Sequence, residues 1–213
     1  MAIEKEAAPK EEKEKQAPAR KKGKAADTWK TKRWYKIRAP KNFEEKEIGE
    51  AVSSEPKNLM GRTINITLRE VTGNMPHQNV HLIFKVYDVK GESADTIAVG
   101  HEMDRGYLNR QTRRMHSIVP DVLDVMTKDG YALRIKSLSF AHGLMRAEQR
   151  KEVRRITEAV IKETSEKTAY DQLFQDMIYG KVSAEVYKRA KKIYPLTKSE
   201  IIKSTLLAAP EKT

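Results

Sequence analysis

The dipeptide Asp129-Gly130 lies between two β-prone runs, and this feature constrains the fold more than any other in the chain. Residues 118–126 are rich in β-branched side chains, and residues 131–140 alternate apolar and polar positions. An Asp-Gly pair between two such runs is a strong signal for a β-hairpin, because both central residues of a tight turn need a positive φ. The sequence therefore predicts a hairpin whose two turn residues both have a positive φ.

Shorter β-prone runs precede this hairpin, at residues 63–68, 80–89 and 96–99. Turns that contain Gly73 and Gly91 follow the first two runs. Several short strands at this spacing are typical of a small antiparallel β-barrel or sandwich. The expected fold class is therefore α+β, with such a β core followed by C-terminal α-helices.

Beyond Gly143 the apolar residues follow a helical period. The first helix has one apolar stripe, formed by Val153, Ile156 and Val160. Residues 170–178 place apolar side chains at i, i+3, i+4, i+7 and i+8, and Gly180 provides a stop signal. Two amphipathic helices are therefore predicted.

Two more helices are predicted from capping signals. Ser183 is a candidate N-cap for a third helix that ends before Pro195. Residues 197–200, Thr-Lys-Ser-Glu, match a capping box and predict a short last helix through Leu207. Residues 144–213 are therefore expected to be a helical region that packs on the β-domain.

The positive charge of the chain is concentrated in one short segment. The 213 residues include 42 Lys and Arg against 30 Asp and Glu, a formal net charge of +12. Residues 20–41 alone hold ten basic side chains and one acidic one, whereas residues 42–100 hold six and nine. Such a density of like charge repels itself without a polyanion, so nucleic acid is the expected partner, ahead of an anionic membrane surface.

Residues 1–28 contain Ile3 as the only large aliphatic side chain after Met1, so a disordered charged tail is expected there. From Trp29 onward aromatic and basic residues alternate. Rings can stack on unpaired bases while cations contact phosphates, although the rings can equally pack in a core. Residues 29–143 are expected to be a β-barrel-like RNA-binding domain. The candidate RNA contacts of residues 20–41 are Arg20, Lys21, Lys22, Lys24, Lys30, Lys32, Arg33, Trp34, Lys36 and Arg38.

Two groups of arginines follow further along the chain. The first lies on a short helix or loop between strands and comprises Arg105, Arg110, Arg113 and Arg114, with His116 beside them. The second is a stripe at i, i+4 and i+8 on the first C-terminal helix, formed by Arg146, Arg150 and Arg154. Both groups are candidate phosphate contacts. Intrahelical pairing is the alternative for the stripe, with Glu148, Glu152 and Glu158 as partners.

Signatures of catalysis and of cofactor binding are missing from the sequence. It has no cysteine, which excludes disulfides, iron–sulfur sites and thiol catalysis, and no glycine-rich phosphate loop. The pair His77 and His81, and a set formed by His101, Glu102 and Asp104, lack the helical spacing of a zinc motif. Asp121, Asp124 and Asp129 lie at a strand and a turn. No catalytic residue, metal or cofactor is therefore expected. The alternative from another functional class is a nucleic-acid-modifying enzyme that uses His101, Glu102 and Asp104.

No apolar run approaches the roughly 18 residues of a membrane span, and the first 15 residues alternate Glu and Lys instead of forming a signal peptide. A cytoplasmic protein without a membrane partner is expected.

Several short motifs occur in an order that resembles one family of small-subunit ribosomal proteins. They are Trp34-Tyr35-x-Ile37-x-Ala39-Pro40, Leu59-x-Gly61-Arg62, Lys128-Asp129-Gly130-Tyr131-x-Leu133-Arg134 and Ile193-Tyr194-Pro195-Leu196. Together they resemble the archaeal and eukaryotic family written eS-one or S-three-Ae, in its shorter archaeal form. Arg62, which heads a strand in this pattern, is a further candidate RNA contact.

The resemblance implies a non-catalytic ribosomal protein, a small β-barrel with helical appendages. It implies a place on the platform side of the small subunit, near the 3′ end of the rRNA and the mRNA exit. The partners implied are small-subunit rRNA and neighbouring ribosomal proteins, with mRNA or initiation factors as further candidates. The alternative is a ribosome-associated RNA-binding factor that acts transiently in subunit assembly or initiation.

Overall fold

A computed structural model of the chain describes Trp29 and residues 32–210. The expected disordered tail, residues 1–28, lies outside the described residues. So do five of the candidate RNA contacts: Arg20, Lys21, Lys22, Lys24 and Lys30.

The described residues contain eight strands, and all of them belong to one sheet. The strands are β1 (Arg33–Arg38), β2 (Glu47–Ser53), β3 (Thr63–Thr67), β4 (Val80–Lys90), β5 (Ser93–Met103), β6 (Ile118–Met126), β7 (Ala132–Ala141) and β8 (Leu196–Ala208). The α-helices are α1 (Leu68–Thr72), α2 (Arg105–Gln111), α3 (Ala147–Lys167), α4 (Tyr170–Ile178) and α5 (Lys181–Ala190). Three short 3₁₀ turns, Lys41–Phe43, Pro56–Leu59 and Met75–Asn79, connect strands. The mixed α and β content is confirmed.

The sheet is built around β5, which pairs with three other strands. Along one edge β5 is antiparallel to β4, which in turn pairs with β3. Its other edge is shared: β1 pairs in parallel near the start of β5, and β8 pairs antiparallel near its end. The expected small antiparallel barrel or sandwich is therefore confirmed only in part: the strands form one open, branched sheet that does not close into a barrel, and β1 and β5 are parallel. Within the described residues β2, β3 and β6 each have a neighbour on one side only.

The predicted hairpin is confirmed as β6 and β7, but its turn differs from the prediction. Gly130 has a φ of 78°, whereas Asp129 is not among the residues with a positive φ. The Gly130 N–H donates to Thr127 O at 2.9 Å, and the Thr127 N–H donates to Tyr131 O at 2.9 Å. These bonds define a three-residue loop with a glycine bulge, in which only the glycine needs the left-handed conformation. The Asp129 carboxylate instead accepts from the Tyr170 N–H at the start of α4, at 3.0 Å.

The predicted last helix is wrong, because residues 196–208 form β8. This strand lies between β5 and β7, so the sheet takes strands from both sides of residue 143. Two of its serines are buried and bond to neighbouring strands: Ser199 Oγ lies 3.1 Å from Ser139 Oγ, and Ser204 Oγ lies 2.6 Å from His101 Nδ1. The local capping pattern competes with this long-range pairing and loses, since a capping box contributes only about 1 kcal/mol.

The third helix begins earlier than predicted. Gly180 has a φ of 76° and is the N-cap of α5, so the helix starts at Lys181. Ser183 therefore lies inside the first turn and is buried there, and its prediction as the N-cap is wrong. In contrast, α4 spans the predicted residues, and its buried side chains match the predicted apolar stripe.

Helices α3, α4 and α5 cover part of one face of the sheet. Phe174 of α4 lies in the main core, edge-to-face with Phe43 at 6.5 Å and with His101 at 6.1 Å between ring centroids. A second cluster holds the start of α3 and the end of α5 against the sheet, through Val119, Ala141, Met145, Val153, Ala190 and Leu196. None of the helices in the described part of the chain has the length and hydrophobicity needed to cross a membrane.

Acid is expected to destabilise the fold through His101, which is 1% exposed. Burial lowers the pKa of this imidazole from 6.5 to about 4. Between these two values the unfolded chain binds a proton that the folded chain does not, so stability is lost as the pH falls from 6.5 towards 4. We expect His101 to contribute a loss of about 2 kcal/mol between pH 7 and pH 5, measured by urea unfolding.

A His101→Gln variant is the matched control, because glutamine does not titrate in this range. Its stability is expected to change less than that of the wild type over the same pH interval. Parallel curves for the two proteins would contradict a neutral, buried His101.

Candidate nucleic-acid interface

Helix α2 presents Arg105 and Arg110 to solvent because its other side is anchored. Asp104 is the N-cap, and its carboxylate accepts from the Tyr107 N–H at 3.2 Å. The Tyr107 hydroxyl donates to Glu200 of β8 at 3.2 Å, and Lys198 Nζ lies 4.9 Å from the tyrosine ring centroid and bonds to its hydroxyl. Both arginines are exposed.

The segment after α2, residues 112–117, is a loop that carries Arg113 and Arg114 outward. Both arginines are exposed, and Met115 beside them is 73% exposed with a φ of 63°. A methionine rarely adopts this left-handed conformation, which turns the chain sharply at the tip of the loop. His116 Nδ1 lies 2.9 Å from Ala141 O, which holds the end of the loop against β7.

Ser117 joins this loop to the start of α3. Its N–H donates to Gly143 O at 2.9 Å, and its Oγ accepts from the Met145 N–H at 2.9 Å. Arg146 is the next residue and the N-cap of α3, where its N–H donates to the side-chain oxygen of Gln149 at 3.0 Å. The fold therefore brings the two predicted arginine groups together, although residues 112–117 and 143–146 are far apart in the sequence.

We call the surface formed by Arg113, Arg114, Arg146 and Arg150 the arginine surface. All four side chains are exposed, and none of them is joined by an ion pair to an acidic side chain in the described part of the chain. The ion pair on the first half of α3 is instead between Arg155 and Glu152, at 3.9 Å. The alternative of intrahelical pairing is therefore not observed for Arg146 and Arg150.

Arg154 differs from the rest of the predicted stripe. Its Nε donates to Pro120 O of β6 at 3.1 Å, although the side chain remains exposed. This bond holds α3 beside the edge strand β6. Arg154 therefore has a structural contact that the other members of the stripe lack.

Sequence reasoning missed three exposed lysines at the end of α5: Lys188, Lys191 and Lys192. They lie near the start of α3, because the Tyr194 hydroxyl donates to Leu144 O at 3.3 Å and Ala190 packs in the same cluster as Met145. Arg189, in the same run, is already paired with Glu163 at 2.8 Å and with Glu185 at 2.6 Å. The signal available in the sequence was the Lys-Arg-Ala-Lys-Lys run itself.

The basic residues at 33–38, within the basic segment 20–41, form strand β1 of the folded sheet, and their prediction as RNA contacts stays a prediction. Trp34 is 60% exposed on the same side of β1 as Lys36 and Arg38, whereas Tyr35 and Ile37 are buried. Lys36 forms an ion pair with Glu47 at 3.2 Å, and Glu47 is also the register partner of Arg38. Neighbouring acidic side chains therefore offset part of this charge. Arg33 and Lys32 are exposed.

We call the exposed residues Arg33, Trp34, Lys36 and Arg38 the β1 group. Arg62 lies beside this group, away from the arginine surface. Its Nη1 donates to Val52 O at 3.3 Å, and Val52 is the register partner of Trp34. The β1 group is paired with the start of β5, at residues 93–95, whereas α2 follows the end of β5. Eight residues of extended strand separate these points by about 26 Å. The predicted contacts therefore form two separate groups.

The side chains that the alternative of a nucleic-acid-modifying enzyme would use make contacts that support the fold instead. His101 is buried against Ser204, Glu102 pairs with Lys203 at 2.9 Å, and Asp104 caps α2. Asp124 forms two bonds of 2.8 Å with Arg134. Within the described residues no group of three or more His, Asp or Glu side chains is placed to hold a metal ion.

Comparisons with known proteins identify the family. The profile of the Ribosomal S3Ae family matches residues 20–210. The chain is 38% identical to small ribosomal subunit protein eS1 of Staphylothermus marinus over 193 residues, which cover 91% of each chain. It is 40% identical to the protein of that name from Archaeoglobus fulgidus, over 91% of this chain and 93% of the relative. The Sulfolobus acidocaldarius protein is 39% identical, over 87% and 94%.

These relatives are archaeal, and their similarity extends over most of both chains. The predicted resemblance is therefore confirmed, and so is the prediction of a ribosomal protein instead of an enzyme. The chain belongs to the Ribosomal S3Ae family.

Proposed function

We propose that this protein is a structural component of the small ribosomal subunit that binds rRNA through the arginine surface. The observation that carries the proposal is the junction at Ser117, which holds the loop of Arg113 and Arg114 beside the start of α3, where Arg146 and Arg150 are exposed and without an acidic partner in the described residues. Guanidinium groups bind phosphates in a bidentate manner, and a rigid support reduces the entropy lost on binding. The exposed lysines Lys188, Lys191 and Lys192 extend the same positive region.

The β1 group is the second rRNA contact in this proposal. Trp34 is exposed next to Lys36 and Arg38, an arrangement in which a ring stacks on a base while cations meet the backbone. Arg33 and Arg62 border the same region. Since the two groups lie at opposite ends of β5, one molecule would contact two separate segments of rRNA.

The place of the protein on the platform side, near the rRNA 3′ end and the mRNA exit in cytoplasmic ribosomes, is part of this proposal. The names of the relatives support the small subunit as its location. Neighbouring ribosomal proteins, mRNA and initiation factors are the further partners that it includes.

Binding to small-subunit rRNA is expected to weaken steeply with salt. Each phosphate neutralised by a cation releases counterions, so contacts by the four arginines alone predict a slope of about −3 for log K against log [salt]. The measurement is equilibrium binding of the full chain to purified small-subunit rRNA between about 50 and 300 mM KCl. This range includes the ionic strengths at which the Debye length is about 8–10 Å. A flat dependence would contradict phosphate binding.

Retention on the ribosome separates a structural component from a transient factor. A component is expected to co-sediment with small subunits at one copy each after a high-salt wash. Loss of the protein from washed subunits would favour the transient factor instead.

A further inference from the structure

A cleft lies between α5 and β8, and the arginine surface does not include it. One wall is a face of α5, with Gly180, Ser183, Ala184 and Tyr187 at i, i+3, i+4 and i+7. The other wall is residues 197–200 of β8. The cleft holds about 260 Å³, which is below the roughly 300–1,000 Å³ of sites for whole small molecules and suits a single ring system.

Ser183 lines this cleft, and its buried hydroxyl is unpaired. The residue is 5% exposed, and its Oγ has no hydrogen-bond partner in the described part of the chain. A buried hydroxyl without a partner is destabilising, so native structures rarely keep one unless a ligand or another group satisfies it. The Ser183 hydroxyl therefore lies just beneath the wall of the cleft with an unmet hydrogen bond.

Glu200 supplies an acceptor and Tyr187 supplies a ring. One oxygen of the Glu200 carboxylate accepts from Lys198 Nζ at 2.8 Å and from the Tyr107 hydroxyl at 3.2 Å, which fixes the side chain. The carboxylate keeps acceptor positions on its second oxygen. Lys191 Nζ lies 5.5 Å from the centroid of the Tyr187 ring, so a cation stands beside the aromatic wall.

We propose that the cleft binds one unstacked cytosine of single-stranded RNA, an inference that rests on the proposed function. The base would lie against Tyr187, its exocyclic amino group would donate to Glu200, and its O2 or N3 would accept from the Ser183 hydroxyl. Carboxylates select the amino group of cytosine, and unpaired bases are commonly bound by stacking and by bonds to their edges. Lys191, whose Nζ lies beside the Tyr187 ring, is placed to meet a flanking phosphate.

Equilibrium binding of RNA decamers to the full chain tests this proposal. The probes are oligocytidine, oligouridine and an abasic decamer of equal charge. Cytosine and uracil have the same size but differ at the amino group, so oligocytidine is expected to bind about tenfold more tightly than oligouridine. Equal binding of all three decamers would overturn the cleft while leaving phosphate binding intact. Absence of binding by all three would contradict the proposed function itself.

A Ser183→Ala variant gives two further readouts, the thermal midpoint and the preference for oligocytidine, which are expected to change in opposite directions. Removing an unpaired hydroxyl is expected to raise the thermal midpoint by about 2–4 °C while the preference for oligocytidine falls to threefold or less. The matched control is Ser165→Ala, because Ser165 is also buried in a helix but its hydroxyl donates to Lys162 O at 2.9 Å. The control is expected to lower the midpoint and keep the preference. A lower midpoint for Ser183→Ala with an unchanged preference would show a merely structural serine and overturn the proposal.

Discussion

Replacing Arg113, Arg114, Arg146 and Arg150 together with alanine is expected to weaken binding to small-subunit rRNA by about 10³-fold. The four side chains are exposed and have no ion pair in the part of the chain that the structure describes, so their charge is available to phosphates. A charge-assisted contact at an exposed site contributes about 1 kcal/mol, and four of them sum to about 4 kcal/mol. Equilibrium binding at about 100 mM KCl, where the Debye length is about 10 Å, measures the loss of affinity.

A variant with the same change in net charge separates local contacts from overall attraction. Lys90, Arg134, Arg155 and Lys167 are exposed, and each forms an ion pair, with Asp95, Asp124, Glu152 and Glu163 respectively. Alanine at these four positions is expected to reduce the affinity far less, because exposed pairs contribute little and their charge is already compensated. Equal losses in the two quadruple variants would reject the arginine surface as the binding site.

Replacing Gly100 with alanine is expected to destabilise the fold by at least about 4 kcal/mol, or to prevent folding. A Cβ at this position would lie 2.1 Å from Ser204 O and 3.1 Å from Ser204 C, which are backbone atoms of β8. No flexible side chain can move aside, so β8 would have to leave β5. This separation would break the pairing of Gly100 with Thr205 and the buried contact of His101 with Ser204. Urea unfolding measures the change.

Gly49 provides the matched control, because it is also a strand glycine without a positive φ. A Cβ at Gly49 would meet no atom within 4 Å. Gly49→Ala is therefore expected to leave stability unchanged or to raise it by up to about 1 kcal/mol, since alanine restricts the unfolded chain. If Gly100→Ala unfolded at the same urea concentration as Gly49→Ala, the close approach of β5 and β8 would be wrong.

Local sequence signals predicted an element correctly where long-range packing favours the same structure. Helix α4 has five apolar side chains on one face, and this period is visible without knowledge of any partner. The β6–β7 hairpin joins strands that are adjacent in the sequence, so its turn residues were sufficient. Residues 196–208 carried a helix-start pattern, but their strand pairs with β5, about a hundred residues earlier. No local pattern reports that pairing.

The sequence predicted individual exposed basic residues of the candidate site, but it did not predict which of them lie on the same surface. Charge density identified exposed arginines on α2, on the following loop and on α3. It also marked residues 20–41 as one basic segment, of which residues 33–38 are strand β1 within the sheet. The lysines at the end of α5 were missed because their relevance depends on the contact of Tyr194 with Leu144.

The sequence by itself determined the family, the concentration of positive charge and the elements with a strong local period. These properties depend on residue identity and on spacing within a few turns of helix or a single hairpin. Only the tertiary structure decided that the sheet stays open, that β8 runs through its centre and that Ser117 joins two arginine groups into one surface. Those outcomes depend on backbone pairing and side-chain contacts between distant segments, which the local pattern of residues does not encode.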